Sequence, residues 1–137
     1  MSEDLAVQKA IRARLAASPA VTALVPSGAI LDRNQRPAPD PSIILGESQE
    51  VDEGTSLQRD RTRIYHTLHI WKREPSLTGV KAICGAVRTA LKADRLELDG
   101  YHCADWHVSS ARYLRDPDGE TSHGVMVVNV LVTGGAS

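Results

Sequence analysis

"LRDPDGETSHGVMVVNVLV", residues Leu114 to Val132, contains a turn followed by a strand. In Asp116-Pro117-Asp118-Gly119 the proline sets φ at the first central position, the aspartate tolerates the second, and the glycine accepts a left-handed exit. The strand that follows, residues 121–133, is apolar on both faces. Met126, Val128, Val130 and Val132 share one parity; Val125, Val127 and Leu131 share the other. An antiparallel sheet covered on one face should alternate apolar and polar residues. One face of this strand can meet the chain's own helices. The other needs a cover, and the expected cover is another copy of the protein, because an exposed apolar patch marks an interface. The competing cover is the chain's own Pro-rich loop or its 18–30 segment.

Upstream of this hairpin, RLEL (95–98) and YHCADWHVSSARYL (101–114) read as strands around a turn at Asp99-Gly100, with Trp106, Val108 and Leu114 on one parity. Residues 77–93 carry the clearest helical pattern, with Leu77, Val80, Ile83, Cys84, Val87 and Leu91 on one stripe. Ser76 is placed to cap that helix, and Gly85 to let it lie close to a sheet. RTRIYHTLHIW (61–71) alternates as a strand, Ile64, His66, Leu68 and Ile70 pointing one way and Tyr65, Thr67, His69 and Trp71 the other. SIIL (42–45) reads as a short strand after the Pro-rich loop DRNQRPAPDP (32–41). Residues 47–62 have no period and many charges, which predicts a long mobile loop. Residues 3–17 read as a helix capped by Ser2, with Val7, Ile11 and Leu15 at four-residue spacing. Residues 20–25 add a short turn of helix. The expected architecture is a single α+β domain over 1–137, with a mainly antiparallel four-stranded sheet and two helices packed on one face.

Composition narrows the class. Hydrophobic residues make up 42% and charged residues 24%, enough apolar content to bury a core, yet aromatics are 4% with no Phe. The core is therefore built from Val, Leu, Ile and Ala. A formal net charge of -1 argues against a general nucleic-acid binder, which needs a cationic surplus. The N-terminal MSEDLAVQKAIRARL is not read as a signal peptide, and no stretch approaches the roughly 18 apolar residues of a membrane helix. Cys84 and Cys103 do not make a disulfide framework and are read as reduced thiols.

No residue pattern predicts catalysis, a cofactor or a metal. Cys103, Asp105 and His107 alternate along a strand and so share a face. Same-face neighbours lie about 7 Å apart, too far for three adjacent ligands of one ion without a bulge. His66, among Ile64, Leu68 and Ile70, is read as a hydrogen-bonded core histidine, and Cys84 as packing. A small ligand site around His66, Asp105 and His107 is the enzymatic alternative. The acidic residues Glu47, Glu50, Asp52 and Glu53 are flanked by Arg59, Arg61 and Arg63. Opposed charges of this kind can meet between copies around a ring, since a head-to-tail interface pairs different patches of one molecule. The candidate interface residues are therefore Arg59, Arg61, Arg63, Glu50, Asp52, Glu53, Val125, Val127 and Leu131, with Asp118 at the hairpin tip.

The order of motifs resembles small tail-completion proteins of tailed phages and of gene transfer agents. The matching stretches are "VQKAIRARLAASPAVTALV", "AILDRNQRPAPDPSIILGE", "TLHIWKREPSLTGVKAICGAVRTAL" and "RYLRDPDGETSHGVMVVNVLV". The Trp71-Lys72-Arg73 step and the Asp116-to-Gly124 hairpin are the most specific; residues 47–62 match poorly. The resemblance implies a structural virion protein of the tail-terminator type. Such a protein caps the tail tube as a ring, typically a hexamer, between tail-tube subunits and a head-completion (stopper) protein. DNA passes through the lumen without specific binding. A stopper or adaptor role is the implied alternative.

Overall fold

The computed structural model of the protein describes residues 2–32, 39–53 and 61–135. Helix α1 (Glu3–Ala17) starts where the Ser2 hydroxyl accepts the Leu5 N–H at 3.1 Å, with Glu3 and Asp4 in the first turn. It buries Ala6, Val7, Ile11 and Leu15. Ser18 ends it and caps α2 (Pro19–Thr22), whose proline occupies a position that needs no N–H donor. A 3-10 turn at Ser27–Ala29 leads into β1 (Ile30–Leu31). Then follow β2 (Ser42–Asp52), β3 (Arg61–Arg73), α3 (Thr78–Lys92), β4 (Tyr101–Arg115) and β5 (Thr121–Gly135). The strands lie in the order β1-β2-β3-β5-β4. β1 runs parallel to β2, and the other pairs are antiparallel.

The helices back one face of this sheet. Ile64, His66, Leu68 and Ile70 of β3 and Met126, Val128, Val130 and Val132 of β5 are all buried there, against Val7, Ile11 and Leu15 of α1 and Val80, Ile83, Val87 and Leu91 of α3. At Gly124 the sheet lies close against α3: an added Cβ would be 2.9 Å from Cys84 Sγ. The predicted close approach at Gly85 is absent, since that glycine has nothing within 4 Å of an added Cβ. At the start of α3, Glu74 Oε1 accepts from Gly79 N and Val80 N at 2.6 and 3.1 Å, while Ser76 Oγ takes the N–H of Thr78. Arg14 closes the other end by donating to the carbonyls of Ala90, Asp94 and Arg95, which ties α1 to α3.

The expected α+β class holds, but the architecture is richer than four strands and two helices. Among the described residues the sheet has five strands and is mixed, because Ile30–Leu31 pairs in parallel with Ile43 and Ile44. The described residues form three α-helices. The predicted loop from residue 47 is strand as far as Asp52, and β3 begins at Arg61; the rest of that loop lies outside the described residues. RLEL is not a strand. Leu96 and Leu98 are buried as an irregular connection, so their apolar alternation reflects core contact without sheet pairing.

Candidate functional site

Alternation places the remaining side chains of β3, β5 and β4 on the sheet face opposite the helices. Arg63, Tyr65, Thr67, His69 and Trp71 stand in register with Leu131, Asn129, Val127, Val125 and His123. Among the described residues no helix lies on this face. The 18–30 segment packs on the other side, where Val21, Val25 and Ile30 enter the core. Of the Pro-rich loop, residues 33–38 lie outside the described residues. Pro39 and Asp40 sit at the Trp71 end, where Asp40 Oδ1 accepts the Arg73 N–H at 2.8 Å. Val125, Val127 and Leu131 are half-buried on this open face, and Leu114 is exposed there.

A polar cluster occupies the Trp71 end. β2 bulges between Leu45 and Ser48, so Gly46 and Glu47 stand opposite Thr67. Gly46 leaves room for the His69 ring, which an added Cβ would approach to 2.7 Å. The bulge also turns Glu47 toward His69, whose Nε2 lies 2.7 Å from the Glu47 carboxylate. That bond holds the Glu47 carboxyl below its ordinary value. His69 Nδ1 is 2.8 Å from His123 Nε2, and His123 stacks on Trp71 at 3.7 Å and 8°. His123 is lowered to about 4, first by burial and then by the neighbouring His69, so it is neutral at pH 7. These residues, with Asp32, Ile44 and Leu45, line a cleft of 530 Å³. Its described lining includes no Ser, Thr, Cys or Lys to serve as a nucleophile. Among the described residues no three His, Cys, Asp or Glu side chains are grouped to hold a metal ion.

The other candidate residues fall in different places. Arg63 pairs with Glu53 at 2.5 Å and donates to Asn129 Oδ1 at 2.7 Å, so these two opposed charges meet within one chain. Arg61, Glu50 and Asp52 are exposed, and Arg59 lies outside the described residues. Asp118 is part of the turn: its carboxylate accepts from Glu120 N, Thr121 N and Thr121 Oγ1. Gly119 there has φ +73°, as its place in the turn requires.

The Cys103–Asp105–His107 face does not form. β4 bulges between Cys103 and Asp105, so Cys103 turns into the core opposite Val132 while Asp105 and His107 face outward, 3.6 Å apart. A second shift between Val108 and Ser110 sends Leu114 to the open face, away from Trp106 and Val108. His66 lies on the helix side and cannot join Asp105 and His107 in a pocket. Both cysteines are free and buried, and burial raises both thiols, Cys84 to about 11. The Glu47–His69–His123–Trp71 cluster escaped sequence reasoning because it depends on a bulge. Gly46 beside a charged residue inside an apolar-then-polar run was its one local signal.

Two solved structures share this five-stranded α+β fold. A chain from the virion of a native gene transfer agent particle shares it with a TM-score of 0.83 over 97% of this chain and 98% of that one, at 20% identity. The bacteriophage SPP1 gp17 protein shares it with a TM-score of 0.63 over 98% and 94%, also at 20% identity. Residues 9–133 match the model of the family described as tail completion protein gp17, and the chain belongs to that family. It is a structural protein of the virion tail. Among curated proteins none matches the chain in sequence.

Proposed function

We propose that this chain is the tail terminator of a phage or phage-like particle: a ring, six subunits in its expected form, that caps the tail tube and receives the head-completion protein. The observation that carries the reading is the open sheet face, on which Val125, Val127 and Leu131 remain half-exposed beside Tyr65 and Trp71. An apolar strip on an interior strand of a sheet is covered in an assembled particle by a neighbouring subunit or tail component. Its structural relatives, a chain of a gene transfer agent virion and a phage gp17 protein, agree with that setting. The near-neutral net charge suits a lumen that passes DNA without gripping it. Val125, Val127 and Leu131 are the proposed contact residues, with Arg61 and Asp118 at opposite ends of the same sheet. Mass measurement in solution and negative-stain images test the reading. Rings, free or seated on tail tubes, are the expected result. A chain that stays monomeric at high concentration with tail tubes added overturns it.

A further inference from the structure

The two long edges of the sheet carry opposite charge. β1 covers β2 at Ile43 and Ile44, and among the described residues no strand lies beside Gly46–Val51. β4 forms the other edge along Tyr101–Arg115. On β2, Ser48, Glu50 and Asp52 stand opposite His66, Ile64 and Thr62, which places them on the helix side of the sheet. The Ser48 hydroxyl bonds the Asp4 carboxylate there, so Glu3 and Asp4 of α1 extend the same acidic patch. At the far edge, also on the helix side, α3 contains no acidic residue and exposes Lys81, Arg88 and Lys92, followed by Arg95. Lys81 lies 5.4 Å over the Tyr113 ring and Arg95 5.8 Å over Trp106. Arg88 and Lys92 border a 330 Å³ groove floored by Trp106 and Val108 of β4. Asp94, Glu97 and Asp99 follow beyond the end of α3, and Asp105 turns to the opposite face to pair with His107.

We infer that neighbouring copies join edge to edge, the acidic outer half of β2 on one subunit seating against the basic α3–β4 edge of the next. The inference rests on the ring reading above and names its seam. Three features select a second copy as the occupant. The patches have opposite sign, lie at opposite edges, and both sit on the helix side, so a plain translation and turn of the molecule brings them together. β2 and β4 run in opposite directions within the sheet, because each of the three intervening pairings is antiparallel. The β2 of the next copy therefore continues the antiparallel order beside β4. A contact between two different patches of one molecule repeats head to tail, and it closes as a ring when the rotation between neighbours divides the full turn. It also covers two strand edges that would otherwise invite uncontrolled pairing.

A charge-exchange experiment tests this seam. One full-length variant carries Arg88→Glu and Lys92→Glu; the other carries Glu50→Lys and Asp52→Lys. All four positions are exposed, and thermal melts verify that each variant folds. Each variant alone should lose ring formation on the order of ten-fold or more, since like charges then face each other across the seam. Mixing the two should restore rings, because every reversed edge then meets a reversed partner. Rings formed by each variant as readily as by the unchanged chain would overturn the seam and leave the ring reading standing. Normal rings from the Arg88/Lys92 variant with lost retention of duplex DNA would make the groove a phosphate-binding surface and overturn the seam. An unchanged chain that forms no ring even on tail tubes would remove the ring reading, and the seam with it.

Discussion

Neither ring nitrogen of His66 has a hydrogen-bond partner among the described residues, and the ring is fully buried. A buried imidazole resists charging, so burial lowers His66 below its ordinary value, against the opposing pull of Asp4 on α1 and Glu47 on β2. His123 is lowered too, to about 4. In the unfolded chain both histidines bind protons near pH 6.5. Below that pH the unfolded state holds more protons than the folded one. Stability is therefore complete above about pH 6.5 and falls as pH drops through the folded-state values. His66→Leu removes two unsatisfied polar atoms and should stabilise the fold at neutral pH by about 1–3 kcal/mol. It should also make the loss below about pH 6.5 shallower. Thermal melts near neutral and near mildly acid pH check this; a variant that melts lower in both would mean that the imidazole supports the core. The burial of His66 was legible from Ile64, Leu68 and Ile70 around it. Its lack of a partner was not, because that depends on which atoms α1 and β2 bring to it.

At the scale of elements, periodicity located α1, α3, β3 and β5 well because each has a face that meets the core and a face that does not. It failed where pairing breaks step. The Gly46-Glu47 bulge hid the outer half of β2, whose exposed acidic residues read as a loop. Bulges in β4 reversed the assigned faces of Cys103 and Leu114. RLEL alternated like a strand, yet its leucines reach the core from an irregular connection. At the join between α3 and the sheet, Gly124 sits against Cys84 Sγ and Val80. Gly124→Val should cost about 1–3 kcal/mol through overpacking. A lowered melting midpoint checks this, and Cys84→Ala in the same chain should recover part of the loss by making room. A Gly124→Val protein that melts with the unchanged chain would show that α3 moves away freely.

At the scale of the molecule, β5 lies between β3 and β4, and this position explains why its residues are apolar on both faces. Neighbouring strands shelter Val125, Val127 and Leu131 partly, and the assembled particle is expected to complete that cover. Val128 is buried on the helix side, so Val128→Asp should abolish folding, because a charge there has no partner. Val127→Asp should keep the fold and block assembly. Circular dichroism and ring imaging on the two proteins check the contrast. If both unfold alike, the open face is part of the folding core and the assembly reading loses its footing.

The amino-acid order by itself determined the elements with a strong period, the turn at Asp116–Gly119, the aliphatic core and the family motifs. These depend on local backbone preference and on each side chain's affinity for water, which neighbours in the chain reveal. Only the tertiary structure decided that β1 joins the sheet and that β2 runs to Asp52. It also decided that Glu47 meets His69 and His123, and that opposite charges stand at opposite edges. Each of those depends on strand register, and a shift of one residue between distant segments turns a side chain to the other face of the sheet.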